Sequence, residues 1–169
     1  MSDLDAAIAA QRRAADAYKA AALAVNESVW NTPRAPGKWS PAQVTDHVGL
    51  STKVARDFMA GKPGMGNLPF FLRPVLSTFF LRPVLKKGAF PKTGRGPSIF
   101  APAHSPMPRE QLCARIDSEI AAIEADARAM VNSGKAEFTH GFFGRMAVAD
   151  YVTFNALHFD HHREQLPGA

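Results

Sequence analysis

Two histidines near the end of the chain have a spacing that suits metal binding. His158 and His162 are four residues apart in a segment with helical character, so their imidazoles project the same way from successive turns. Two imidazoles at this spacing can bind one divalent ion, as in helical His-x-x-x-His motifs. His161 is adjacent in the sequence but falls on the neighbouring stripe of the helix, so it does not join the pair.

His47 is the candidate for a third ligand, because two imidazoles alone hold a metal ion weakly. It lies on an apolar helical stripe with Val44, Val48 and Phe58, which directs it toward the interior. Three imidazoles with one open coordination position form the catalytic type of metal site. Two alternatives stay open here: His47 as a core histidine satisfied by a neighbour, and the two C-terminal histidines as a solvated helix end.

Tyr151 and Asn155 share the helix face of His158 and His162. Their side chains could orient a substrate beside a bound ion, so both are candidate catalytic residues. The alternative is that they pack in the core and support the ligands through hydrogen bonds.

Four helices must position these residues. Residues 3–27 are rich in alanine and lack glycine and proline, which favours a long helix. Ser40-Pro41-Ala42-Gln43 starts a second helix that runs to about Met59, with serine as the cap, proline at the first helical position and glutamine reaching back. Apolar residues at three- and four-residue spacing predict helices over 108–131 and 147–165.

Two insertions complete the predicted fold. Residues 68–85 contain Phe-Leu-Arg-Pro-Val-Leu twice with a period of nine, and their prolines predict a kinked helical hairpin. Residues 86–106 form a long connection containing His104, and residues 135–146 form a loop with buried aromatics around His140; no strand pattern appears. These elements predict an all-α fold, an up-and-down four-helix bundle with a helical hairpin and a long loop inserted between the second and third main helices.

Length, cysteine content and charge set limits on the class of protein. A chain of 169 residues suits a single domain spanning 1–169. Cys113 is the one cysteine, which excludes an internal disulfide and a multi-cysteine metal site and fits a cytoplasmic location. Residues 53–95 hold nine of the 20 lysines and arginines and one acid, Asp57. That segment could attract an anionic partner, or it could be an ordinary solvated surface.

Three motifs together resemble the DinB/YfiT-like family of metalloenzymes. They are Trp39-Ser40-Pro41-Ala42-Gln43 with His47-Val48, the terminal His158-x-x-x-His162-Arg163-x-Gln165, and His140-Gly141-Phe142-Phe143-Gly144. The last is similar to a His-Pro-x-Phe-Gly segment of one branch of the family, with Gly141 in place of proline. The resemblance implies a four-helix bundle in which three histidines hold a divalent ion, and it carries the ligand roles over to His47, His158 and His162.

The resemblance also implies a homodimer and a small-molecule substrate, because its characterised members include thiol S-transferases and isomerases that use low-molecular-weight thiols. Imidazole ligands suit several metals; we expect zinc or nickel, with iron or manganese as alternatives. The first functional hypothesis is therefore a metal-dependent transferase or hydrolase. No role follows from the sequence for His104, His140 or His161.

The second functional hypothesis is a non-catalytic stress-response or binding module, in which the apolar and basic residues 68–95 contact a partner or a membrane surface. A transmembrane segment is not expected, because residues 68–85 contain two arginines and are short for a span of about 20 residues. A nucleic-acid partner is not expected either, because the sequence shows no recognition-helix motif and no interleaving of aromatic and basic residues.

Overall fold

Four long helices and a small β-hairpin make up the computed structural model, which describes residues 3–62, 68–91, 101–102 and 107–168. The long helices are α1 (Asp3–Ala24), α3 (Pro41–Met59), α6 (Arg109–Asn132) and α7 (Val148–Arg163), and the single turn α2 (Glu27–Trp30) follows α1. The predicted all-α four-helix fold is therefore confirmed. None of the described helices is long and apolar enough to cross a membrane.

The directions of the helices differ from strict alternation. Ion pairs between α1 and α6 are Asp5–Arg128, Arg12–Glu124 and Lys19–Asp117. Ion pairs between α3 and α6 are Asp46–Arg115 and Arg56–Glu119. In the ion pairs between α1 and α6, the residue numbers rise in one helix as they fall in the other, so these two helices are antiparallel. In the ion pairs between α3 and α6, the residue numbers rise together. Since α3 and α6 are thus parallel, the chain must return from the end of α3 to the start of α6, and the long insertion makes that crossing.

Two core layers hold the bundle together, and each draws residues from all four long helices. The first layer includes Tyr18, Val48, Ile116 and Phe159. The second includes Ile8, Met59, Ile123, Ala127 and Val152. The first layer surrounds the start of α3 and the end of α7, so it supports the turns that carry the histidines.

The duplicated segment forms one continuous helical run rather than the predicted hairpin. Its parts are α4 (Arg73–Leu76), a π-helical turn (Ser77–Leu81) and α5 (Arg82–Lys87). Pro83 lacks an N–H and its ring crowds the carbonyl four residues earlier, which disturbs an ordinary α-helix. The chain accommodates it with a wider turn, in which the Arg82 N–H donates to the Ser77 carbonyl five residues back. Within the long connection that follows, residues 92–100 and 103–106, including His104, lie outside the described residues.

Residues predicted as a loop contain a β-hairpin instead. Strands β1 (Glu137–His140) and β2 (Gly144–Ala147) pair in antiparallel register. Gly144 has a φ of +73°, a left-handed conformation that closes the turn and favours glycine. Strands of four residues give too few alternations to stand out as a period-two pattern, which is why the sequence did not predict them.

Candidate metal centre

The three predicted ligands converge at one end of the bundle. His47 comes from the second turn of α3, and His158 and His162 come from the last turns of α7. One ring nitrogen of each lies within 4.8 Å of those of the other two. The Nε2 atoms of His158 and His162 are 3.0 Å apart. Three histidines are therefore placed to hold a metal ion, and we call them the three-histidine cluster.

The start of α3 is fixed by the capping box that the sequence predicts. The Ser40 hydroxyl accepts from the Gln43 N–H at 3.2 Å, and the Gln43 side-chain oxygen accepts from the Ser40 N–H at 3.0 Å. These two bonds satisfy backbone N–H groups that have no partner within the helix. They set where α3 begins, and therefore the position of His47 two turns later.

Tyr18 of α1 connects the two helices that carry the ligands. Its hydroxyl donates to Thr45 Oγ1 of α3 at 2.9 Å, and Thr45 in turn donates to the Pro41 carbonyl at 2.9 Å. The Tyr18 ring meets Phe159 of α7 edge to face, with centroids 5.9 Å apart. Burial raises the pKa of Tyr18, so the hydroxyl stays neutral. The side chain therefore locks α3 and α7 together beside the cluster.

Two rings of the cluster are neutral at physiological pH. Burial, followed by the neighbouring imidazoles, lowers the pKa of His162 to about 3. The same two causes lower the pKa of His158 well below its ordinary value. Neutral imidazole is the form that binds metal ions. Two facing Nε2 atoms at 3.0 Å must share either a proton or a cation, so this arrangement fits a bound metal.

The hydrogen bonds of Gln165 determine which ring nitrogen of His162 can bind a metal ion. His162 Nδ1 lies 3.2 Å from the Gln165 side-chain oxygen, and the Gln165 amide nitrogen lies 3.1 Å from His161 Nε2. An amide oxygen only accepts and an amide nitrogen only donates, so His162 carries its proton on Nδ1. Its Nε2 is left as an acceptor facing the other ligands, which is the orienting role of a residue that hydrogen-bonds a metal ligand.

Neither Gln165 nor His161 was given a role by sequence reasoning. The signal was present, since Gln165 follows His162 by three residues and His161 by four. At that spacing the three side chains become neighbours at a helix end.

Aromatic rings lie beside two of the three ligands. The Trp39 ring lies 4.8 Å from that of His47, and Phe90 lies 5.5 Å from His158 and stacks on His161 at 5.4 Å. The Trp39 side chain is 36% exposed, so it borders the solvent side. The motif at the start of α3 contains Trp39 but predicts no role for it, and no sequence pattern points to Phe90.

The donor set selects a class of metal ion. The cluster contains three imidazoles and no carboxylate. Magnesium and calcium prefer oxygen ligands, whereas imidazole suits divalent transition metals. Three imidazoles also leave a coordination position for another ligand. Zinc or nickel, with iron or manganese as alternatives, stay predictions.

Tyr151 and Asn155 are deeply buried, at 1% and 5% exposure. The Asn155 side chain donates to the Tyr151 carbonyl at 3.2 Å, and the Tyr151 ring meets Phe138 edge to face at 5.2 Å. Burial raises the pKa of Tyr151. These contacts fit the packing alternative, and a catalytic role for either residue stays a prediction.

His140 lies in a separate apolar environment, beside the end of α3 and the start of α7. Its Nδ1 accepts from the N–H groups of Phe142 and Phe143, at 3.1 and 3.4 Å. Its ring centroid lies 4.5 Å from Phe58 and 5.7 Å from Tyr151. Burial, with a smaller contribution from a nearby arginine, lowers the pKa of His140 to about 3. We call these five residues the His140 pocket.

Comparison with known proteins identifies the family of the chain. No curated protein and no solved structure gives a significant match to this chain. A family model described as the DinB superfamily matches residues 10–166, which is most of the chain and includes all three ligand candidates. The chain therefore belongs to the DinB superfamily.

Proposed function

We propose that this protein is a divalent-metal-dependent transferase or hydrolase with a three-histidine site formed by His47, His158 and His162. The observation that carries the proposal is the convergence of three imidazole nitrogens within 4.8 Å of one another. A divalent ion with an open coordination position lowers the pKa of a thiol or a water molecule and so supplies a nucleophile near neutral pH.

A low-molecular-weight thiol is the substrate class that we propose for the open position. Arg34 acts electrostatically on both His161 and His162, in the sense that lowers their pKa values. A cation within electrostatic range of the cluster would attract an anionic thiol or stabilise a thiolate.

The surrounding side chains have distinct tasks in this proposal. Trp39 and Phe90 shield the cluster from water, which strengthens electrostatic interactions within it. Gln165 keeps the proton of His162 on Nδ1, so that Nε2 faces the site. Tyr151 and Asn155 support the helix from the core side, and their part in orienting substrate stays open to test.

The test is a panel of low-molecular-weight thiols with an electrophilic cosubstrate, with ester hydrolysis assayed in parallel. Metal-loaded protein should consume one of these substrates, and metal-free protein should not. His162→Ala should lose the activity, because it removes a ligand. The matched control is His140→Asn, which replaces a buried neutral histidine outside the cluster and should keep the activity. Equal rates with loaded and metal-free protein for every substrate would contradict the proposal.

We also propose that residues 1–169 form one domain, since both core layers draw on all four long helices. The homodimer and the cytoplasmic location stay predictions; size measurement in solution and cell fractionation test them.

A further inference from the structure

A group of large apolar side chains is exposed along residues 70–79. The exposed fractions are 78% for Phe70, 63% for Phe71, 42% for Leu72, 52% for Val75 and 78% for Phe79. Five exposed apolar residues of this size lie within ten positions of the chain, and monomeric proteins rarely expose such a concentration of apolar surface without a function.

The core does not need these side chains, because the same segment already contributes a buried face. Leu81 and Val84 are 4% and 2% exposed, and Phe80 packs on Phe143 with ring centroids 6.1 Å apart. The segment is also tied at its start, where the Leu68 N–H donates to the Gly141 carbonyl at 3.0 Å. The exposed apolar residues are therefore held outward by a segment that is fixed to the bundle.

Positive charge follows the apolar patch on the same helical run. Residues 68–87 contain four cations and no carboxylate. Arg82, Lys86 and Lys87 are exposed, and within the described part of the chain none of them forms an ion pair. Val75, Phe79, Arg82 and Lys86 are all exposed along this run, so it presents both apolar and cationic side chains to solvent.

We propose that residues 68–87 form a docking face for an anionic lipid membrane. Exposed phenylalanines followed by lysine and arginine are the pattern of a segment that lies in the membrane interface. The aromatic rings enter the boundary between headgroups and acyl chains, while Arg82, Lys86 and Lys87 lie against lipid phosphates. Such binding is peripheral and reversible, and it needs no spanning helix.

Charge favours lipid over a second copy of the chain as the occupant. An isologous contact pairs this face with itself, and residues 68–87 contain no carboxylate, so a second copy offers these cations no opposite charge within the contact. An anionic lipid surface does offer it. The proposal is independent of the metal centre, because none of these residues belongs to the three-histidine cluster.

The first test measures binding of the full-length protein to vesicles by co-sedimentation. Vesicles of phosphatidylcholine with phosphatidylglycerol should bind the wild type, and pure phosphatidylcholine should bind it much more weakly. Binding to the mixed vesicles should fall as salt rises, because salt screens the attraction. Equal binding to both compositions, or no binding to either, would overturn the proposal.

The second test changes the apolar part of the face. Phe71→Ser with Phe79→Ser should reduce binding at least tenfold, whereas Leu23→Ser with Val131→Ser should leave it unchanged. The control residues are also exposed, at 50% and 37%, but lie on other helices. Thermal unfolding checks that both double variants fold. If the first pair instead dissolves a dimer in sedimentation velocity and leaves vesicle binding intact, the face binds a second copy and the proposal is wrong.

The third test changes the charge. Arg82→Gln with Lys86→Gln should weaken binding to the anionic vesicles by roughly 30-fold, from the usual contribution of two cations at such a surface. Arg13→Gln with Lys135→Gln removes the same charge from exposed positions elsewhere and should have little effect. Equal losses with both pairs would show attraction by net charge alone and would overturn the docking face.

Discussion

The three-histidine cluster and the His140 pocket both bury neutral imidazoles, yet only the first can hold a metal ion. Burial lowers the pKa of His162 and of His140 to about 3, so both rings are in the metal-binding form. The difference lies in the direction of their lone pairs. His162 Nε2 faces His158 Nε2 at 3.0 Å, whereas His140 Nδ1 already accepts two backbone N–H groups.

The comparison teaches that a depressed pKa does not identify a ligand. In the cluster, Gln165 hydrogen-bonds to Nδ1 of His162, so Nε2 remains able to bind a metal ion. In the His140 pocket, Nδ1 of His140 accepts from N–H groups of the hairpin backbone, and aromatic side chains pack against its ring. A buried histidine is placed to hold a metal ion in one region and stabilises a β-turn in the other, and the hydrogen bonds of its ring nitrogens make the difference.

The largest expected effect is the loss of a ligand. His162→Ala should weaken metal binding by more than the roughly 100-fold that changes around a metal ligand can cause. His140→Asn should leave metal affinity unchanged, because its ring takes no part in the cluster. Competition with a chelator of known affinity measures both. Similar losses in the two variants would remove the distinction between the two regions.

The second-largest expected effect is a loss of stability when the His140 pocket is changed. His140→Leu leaves the N–H groups of Phe142 and Phe143 without their acceptor, so we expect the free energy of unfolding to fall by about 3 kcal/mol. His140→Asn keeps an acceptor and should lose less. Urea unfolding of the metal-free protein measures this, and equal stability of the leucine variant and the wild type would contradict the structural role.

The third effect sharpens the role of the residue behind the cluster. Gln165→Leu removes the acceptor for His162 Nδ1, so metal affinity should fall by roughly 10- to 100-fold. Gln165→Glu keeps an acceptor and should bind metal at least as well as the wild type. Titration calorimetry distinguishes the two. If leucine and glutamate variants lose affinity alike, Gln165 acts through packing rather than through the proton of His162.

The smallest effect, taken for one group and one pH unit, is the acid sensitivity of the metal-free protein. His140 and His162 have folded-state pKa values of about 3, below the unfolded value of about 6.5. Between these limits the unfolded state binds more protons, so stability is complete above pH 6.5 and falls as the pH decreases. Each group contributes a slope of about 1.4 kcal/mol per pH unit.

Urea unfolding of the metal-free protein at several pH values between 7.5 and 4.5 measures this slope. His140→Asn should lower it by the contribution of one group, because asparagine does not titrate. A slope that is unchanged in the variant would mean that His140 keeps an ordinary pKa.

Helical periodicity and helix capping account for the features of the structure that the sequence predicts. The four long helices, the capping box at Ser40 and the separation of His161 from His158 and His162 all follow from spacing along one helix. The parallel course of α3 and α6 does not, because it depends on contacts such as Asp46–Arg115 between distant parts of the chain.

The features that sequence reasoning missed share a physical reason. The β-hairpin is too short to show a pattern, and its turn is stabilised by a side chain, His140, rather than by a standard turn sequence. Residues 68–85 contain one helical run rather than the predicted hairpin, because a π-helical turn accommodates Pro83. Phe90 reaches the cluster from the connection after α5, so no local pattern could place it there.

The most direct test of the central claim is X-ray absorption spectroscopy of the metal-loaded protein. The wild type should show three imidazole nitrogens at about 2.0–2.1 Å from a single zinc ion. His47→Ala should show two, because His47 is the ligand that comes from a different helix. An ion that lacks imidazole ligands, or a ligand count that is unchanged in His47→Ala, would contradict the three-histidine site.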